Sequence, residues 1–392
     1  MGSSSCPPPV GYCSGRRRSC RDRSRRHLPR RHRLRRRCET TPFPSASAAA
    51  PAARVYPVVM PTPQLSWVRR AAYLAVRYSP LQAWFAWRAA DKLAVLAYHR
   101  VPDEVIFDAQ LAYLARRAHP VSLEEVLAAA RKGRVLPHRS VLLTFDDADR
   151  THLDIALPLL RARGIPAVVF VVTGVLDSDL PFWFDEVADL LARGATIPEL
   201  AGLRADAAIT RLTRMPDAAR RLLVERLRAT GSLPVVDSSQ GAAAGLRSDG
   251  ASKTGRNAPP QLRSDELPLF ESAGVAVGNH TLSHACLDRC DDPTARHEIL
   301  AAHKHLTGVL GHEPLAFAYP GGFFNNRTVE LVAEAGYPLA FAYDDRLTAW
   351  TPEQPLAISR LRGNAYDPVD RLALTLSGLH GAVWRLVREV TP

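Results

Sequence analysis

Residues 140–147 read SVLLTFDD. Six uncharged positions, mostly apolar or β-branched, run straight into two acids. That is the pattern of a strand buried on both faces whose end carries a pair of carboxylates. Similar runs recur along the chain: LAVLAYH at 93–99, AVVFVV at 167–172, VAVGN at 275–279, LAFAY at 315–319 and, more weakly, LAFAY at 339–343. Helical stretches lie between them. Ser122 and Glu125 form a capping box ahead of EVLAAARKG, which stops at Gly133. Asp292-Pro293 supplies an N-cap and a first-turn proline for a helix ending near Gly311. Uncharged strands alternating with helices predict an α/β protein with a parallel sheet covered on both faces. A barrel and a doubly wound sheet both satisfy the pattern, and the βα repetition favours the barrel.

The chain has 392 residues, 46% of them hydrophobic, which suits a large buried core and excludes wholesale disorder. Its net charge of +12 resides mainly in residues 1–40, where thirteen arginines face only Asp22 and Glu39. The basic character therefore belongs to a tail, and no specific nucleic-acid partner is expected for the folded body. Residues 1–59 lack apolar periodicity and are expected to be disordered. Three explanations compete for them: a basic arm touching nucleic acid or anionic lipid, an Arg-rich transit peptide, and a gene start extended upstream of initiation at Met60, the last being preferred. No apolar segment follows the basic stretch as a secretory signal would require, so a cytoplasmic or membrane-peripheral location is expected. Residues 60–92 form an amphipathic helical segment. Its core, 64–90, is rich in Trp, Tyr and Arg and is interrupted by Pro80; it reads equally as a helix packed on the main domain and as a peripheral membrane contact. Residues 93–392 are expected to make one catalytic domain with a flexible, turn-rich insertion at 237–262. Four of the six cysteines lie in the tail, and Cys286 and Cys290 are too few for a disulfide framework.

Candidate chemistry gathers at three strand ends. Asp146 and Asp147 close the first. Side chains alternate along a strand, so the two acids are expected to point in different directions, one towards a metal and one towards a substrate; an Asp pair capping the next helix is the plainer alternative. His280 and His284, in HTLSH after VAVGN, would converge on one ion if the segment turned helically. Tyr319-Pro320-Gly321-Gly322 closes the third and brings bare backbone close to whatever occupies the strand ends. A zincin-like reading of His297-Glu298 with His303 fails, because Ala301 stands where the second ligand belongs; His297, His303 and His305 are expected to be solvated.

TFDD, HTLSH and YPGG, in this order, resemble the motifs of the polysaccharide deacetylases with the NodB homology domain, carbohydrate esterase family 4. Tyr98-His99-Arg100-Val101, Gly164-Ile165-Pro166-Ala167 and Phe182-Trp183-Phe184-Asp185-Glu186 resemble its YHRV-containing branch. The likeness spans roughly residues 93–365. It implies a distorted (β/α) barrel and metal-dependent removal of acetyl groups from N-acetylated sugars of a glycan or polysaccharide. It also implies that Asp147, His280 and His284 hold one divalent ion, Zn²⁺ in the first place, with Co²⁺, Ni²⁺ and Fe²⁺ compatible. Asp146 would be the general base towards a water activated by that ion, and Tyr319 would offer a backbone N–H to the oxyanion. Pro320, Gly321, Trp183 and Arg360 would meet the substrate. Three departures stand out. Ala148 replaces the usual Gly after the acids. Ala318 replaces an Arg that orients the base, for which Arg360 or Arg362 is the expected substitute. The late proton-donating His has no clean match; His99 is preferred over His380. Three other readings compete: an amidohydrolase for small non-sugar amides, an impaired carbohydrate-binding homologue, and a nucleic-acid or membrane adaptor acting through the arginine tail.

Overall fold

The computed structural model describes residues 67–178, 180–231, 261–348 and 354–383. The expectations for residues 1–59, for Met60 and for nearly all of the 237–262 insertion fall outside these. Each apolar run becomes a strand: β1 (Ala94–Tyr98), β3 (Ser140–Phe145), β4 (Ala167–Val171), β5 (Val275–Asn279), β6 (Ala316–Ala318) and β7 (Leu339–Phe341). Two short strands, β2 (His119–Pro120) and β8 (Leu361–Arg362), were not anticipated. All pair in parallel, in the order β7-β6-β5-β4-β3-β1-β8, with β2 beside the start of β3. A parallel bridge between Phe341 and Ile358 then ties β7 to the segment that continues into β8. The ring closes through this broken strand, giving the distorted (β/α) barrel.

The two-residue period sorts each strand into two faces. Val95, Leu142, Val168, Phe170, Ala316, Ala318, Leu339, Phe341 and Ile358 fill the interior, and the helix Leu123–Lys132 packs Leu123, Val126 and Ala129 against them. Leu96, Leu143, Phe145, Val169 and Val277 belong to the outer layer, together with Phe107, Leu111, Leu160 and Phe270 from the surrounding helices. The capping box of Ser122 and Glu125 is present, and Gly133 ends that helix in a left-handed conformation at φ 61°. Losing such a cap costs about 1 kcal/mol. The helix Asp292–Leu310 is capped by Asp291, whose side chain accepts from Thr294 N, so it starts one residue earlier than expected.

Between β4 and β5 the helices Trp183–Ala192, Ala205–Thr213 and Asp217–Gly231 bury an apolar cluster of their own, with Val187, Ile209, Leu212, Val224 and Leu227 at its centre. The amphipathic segment forms two helices, Trp67–Arg77 and Pro80–Ala89. Pro80 opens the second, behind a Ser79 cap. Gln82 bonds Ala373 O and Ser377 Oγ, which joins this pair to the helix Val369–Leu376.

Candidate active site

Interior alternation continues past the last strand residues. Leu142 and Thr144 face inward on β3, so Asp146 comes next; Ile358 faces inward before β8, so Arg360 follows. The two meet at the mouth of the barrel. Arg360 Nη1 and Nη2 donate to Asp146 Oδ1 and Oδ2 at 2.6 and 2.8 Å, and both side chains are almost fully buried. The guanidinium also donates from Nε to Ala342 O (2.8 Å) and from Nη1 to Thr144 Oγ1 (3.2 Å), and it lies over the Phe170 ring. Burial by itself would raise the Asp146 carboxyl, but Arg360 overrides it and holds the group well below the usual carboxylate range. Arg360 is thus the substitute for the arginine missing at Ala318. Four of its N–H donors are thus engaged with the protein, and it holds Asp146 while lining the cavity. Arg362 turns instead to Asp345, at 3.8 Å.

Asp147 and Ala148 take left-handed backbone conformations, φ 72° and 54°. Past this bend both acids line the cavity and turn to different partners, Asp146 to Arg360 and Asp147 to the two histidines. Ala148 occupies a conformation that glycine adopts freely and a Cβ resists by about 1–2 kcal/mol.

The HTLSH segment is a loop and not the helical turn expected, with Thr281 and His284 at φ 69° and 56°. It still delivers both imidazoles to Asp147. His284 Nε2 lies 3.4 Å and His280 Nε2 3.6 Å from Asp147 Oδ1, and the three donor atoms lie within 4.8 Å of one another. Donors about 2.1 Å from a common tetrahedral ion stand roughly 3.4 Å apart, so the set fits a divalent cation. Three further observations agree. His280 Nδ1 meets Ala318 O at 2.8 Å, which leaves the Nε2 lone pair for the ion. Asp147 Oδ1 is buried without a hydrogen-bond partner. Burial pushes both imidazoles down to about 4, so they are neutral at pH 7 and able to ligate. Cys286 also lines the cavity, but burial pushes its thiol up to about 12 and keeps it protonated.

The loop is braced from behind. Glu298 accepts from Ser283 N (2.8 Å) and Ser283 Oγ (2.6 Å), and also from Arg221 of the Asp217–Gly231 helix at 2.8 Å. Gly174 N donates to Leu282 O at 2.7 Å, an approach so close that a Cβ on Gly174 would lie 2.4 Å from that oxygen. Glu298 is therefore a buried brace. Its neighbours on the helix are not all solvated as expected: His303 meets the Tyr337 hydroxyl and His305 the Ser264 hydroxyl, and only His297 is exposed.

The cavity, about 320 Å³, lies over these groups. Phe182, Trp183, Phe184, Phe323 and Tyr343 supply aromatic walls, and Gly321 and Gly322 line it from the YPGG turn. Gly322, at φ 74°, packs so tightly on Tyr343 that no side chain fits there. Tyr319 itself is buried. Its N–H donates to Phe341 O (3.0 Å) and its hydroxyl to Leu356 O (2.9 Å), so the expected oxyanion donor is engaged in the sheet. Pro320 is buried and is not among the residues that line the cavity. His99 is exposed on the cavity wall beside Tyr343, and its carbonyl oxygen is held by His152 Nε2. His380 stands apart, among Arg371, Asp345 and Arg362.

Three polar lining residues received no role from sequence. Arg100 bridges Asp149 (3.0 Å) and Asp185 (3.4 Å) on the cavity wall. Burial, reinforced by Asp147 and Asp149, pushes the Asp185 carboxyl up to about 6 despite Arg100. Their signal lay in the quoted YHRV and FWFDE stretches and in the third acid of DDAD, but the spacing along the chain gives no hint that they meet.

A family model described as polysaccharide deacetylase matches residues 133–201 and 251–340. A poly-β-1,6-N-acetyl-D-glucosamine N-deacetylase of Staphylococcus aureus is 39% identical over 69 residues, 17% of this chain and 23% of that protein. Its Staphylococcus epidermidis counterpart is 38% identical over 73 residues, 18% and 25% of the two chains. The match thus spans about a quarter of these curated relatives. Among solved structures, the chain is similar to the Streptococcus pyogenes deacetylase PplD (TM-score 0.48, 18% identity, 73% of this chain and 98% of that one). It is also similar to IcaB from Ammonifex degensii (TM-score 0.47, 19% identity, 74% and 97%). The family-model match contains both acids, both histidines and the YPGG turn that meet at the barrel mouth, and over these residues the chain is similar to the polysaccharide deacetylase family.

Proposed function

We propose that this protein is a metal-dependent hydrolase that removes acetyl groups from N-acetylated sugars of a glycan. The observation that carries the reading is the pairing of two arrangements in one cavity: two neutral imidazoles gathered on Asp147, and beside them a second carboxylate locked by Arg360. A divalent ion held by Asp147, His280 and His284 would supply Lewis-acid polarisation of the amide carbonyl and a more acidic water. Asp146 takes the proton of the attacking water at a carboxylate oxygen whose direction Arg360 fixes. His99 gives a proton to the amide nitrogen as the C–N bond breaks, so one water is consumed and acetate and a sugar amine are released. The pyranose ring lies against the aromatic wall of Trp183, Phe184, Phe323 and Tyr343, which matches its apolar face, while Gly321 lets the chain approach closely. Zn²⁺ suits two imidazoles and one carboxylate, as do Co²⁺, Ni²⁺ and Fe²⁺.

The test is acetate release from N-acetylglucosamine oligomers, with and without chelator, combined with metal analysis of the purified chain. Asp147→Ala and His280→Ala should lose bound metal. Asp146→Asn should keep the metal and lose 10²-fold or more in turnover. Normal hydrolysis by Asp146→Asn, or no acetate from any acetylated sugar with metal supplied, would overturn the proposal.

A further inference from the structure

The helix pair at 67–89 is turned inside out. Gln82, a polar side chain, is buried against Ala373 O and Ser377, while the large apolar side chains face outward. Tyr78 is 76% exposed, Trp87 72%, Leu81 54% and Trp84 49%, and Leu74 and Val76 join them. On the helix Pro80–Ala89, Leu81, Trp84 and Arg88 follow one another at helical spacing, and Arg88 lies over the Trp84 ring at 5.0 Å. A folded domain gains nothing from such a face unless something covers it.

Charge indicates what covers it. Residues 67–92 hold Arg69, Arg70, Arg77, Arg88 and Lys92 against Asp91 alone, and the thirteen-arginine stretch precedes them in the chain. Residues 93–392 carry 32 basic and 36 acidic side chains, a net charge of −4. A negatively charged surface would attract the helix pair and repel the body. Trp, Tyr and Arg on one face are the residues that settle at the lipid headgroup boundary. No helix among the described residues is long and apolar enough to cross a membrane. Arg77, at the end of the first helix, pairs with Asp370, four residues beyond the cavity-lining Tyr366. The turn between the two helices therefore stands at the cavity end of the barrel.

We infer that the helix pair 67–89 is a peripheral docking surface for an anionic lipid bilayer. This holds whatever reaction the cavity performs. The test uses the full chain with two kinds of vesicle, phosphatidylcholine alone and phosphatidylcholine with phosphatidylglycerol. Anionic vesicles should sediment the protein, and brominated acyl chains should quench its tryptophan emission. The doubly substituted Trp84→Ser/Trp87→Ser variant changes exposed side chains only. It should keep its unfolding transition, bind at least tenfold more weakly and lose the quenching that separates it from the parent. Equal binding by parent and variant would assign the attraction to the arginine tail and overturn the inference. So would a concentration-dependent dimer, dispersed by the variant, in a chain that ignores vesicles, because the face would then be covered by a second copy.

Discussion

Replacing Arg360 by Met tests the central geometry without relying on turnover. The substitution leaves the Asp146 carboxylate buried without its guanidinium partner, and leaves Ala342 O without its side-chain donor. Removing one partner of a buried pair costs about 3–5 kcal/mol, mostly the desolvation of the abandoned charge. Asp146→Leu should cost a similar amount by stranding the guanidinium. The double variant strands neither charge and should lie within roughly 1–2 kcal/mol of the parent, because an apolar pair of similar volume replaces an ion pair at little cost. The coupling between the two sites is then at least about 3 kcal/mol. Urea unfolding of the four chelated proteins measures it, chelation keeping metal linkage out of the comparison. The pH profile adds a sign. In the parent, Asp146 is held below its unfolded value, so its contribution is present above about pH 4 and is lost as pH falls through the folded pKa. In Arg360→Met burial loses its strongest opponent, with only His280 and His99 left to lower the group, so the carboxyl moves up and protonation relieves the strain. The gap between variant and parent should therefore narrow as pH falls from 7 towards 4. Additive single costs, or an Arg360→Met penalty below about 1 kcal/mol, would show that the pair is not the buried fork described.

Other expectations follow from the same site. Ala148→Gly removes a Cβ held at φ 54° and should change stability by between zero and about +1 kcal/mol once glycine's entropy is counted; a loss above 1 kcal/mol in urea unfolding would contradict the left-handed turn. Gly174→Ala should push Leu282 and the histidine loop away from Asp147 and weaken metal affinity tenfold or more, read by competition with a chromogenic chelator; unchanged affinity would show the loop is free to yield. Glu298→Gln should do the same more mildly while leaving the Arg360–Asp146 coupling intact. His280 and His284 fall from 6.5 to about 4 on folding, so the unfolded chain binds more protons between those values. The chelated protein should then lose stability as pH falls from 6.5 to 4, by up to about 3 kcal/mol per imidazole, and a flat profile there would mean the rings are not buried as neutral groups.

The strands were legible because burial on both faces leaves an unbroken uncharged run, and six such runs became six strands of one parallel ring. β2 and β8, two residues each, are too short to leave a pattern, and the arginine that completes the site, Arg360, directly precedes β8. The helical cluster at 183–231 went unread because its apolar positions pack against one another and mark no alternation with strands. TFDD and HTLSH announced the metal donors by residue type. How they meet did not follow from local rules, since a left-handed bend at Asp147 and Ala148 follows β3 and a loop replaced the helical turn.

What the amino-acid order determined alone was the inventory: which segments must be buried, which residues can ligate or carry protons, and where the charge lies. What tertiary structure decided was pairing across distance. Arg360 reaches Asp146 over 214 positions, Glu298 supports Ser283 from a separate helix, and the N–H of Tyr319 is claimed by Phe341. Local patterns report the periodicity of burial along one element. Which donor satisfies which buried acceptor is set by barrel closure, and closure depends on every strand at once.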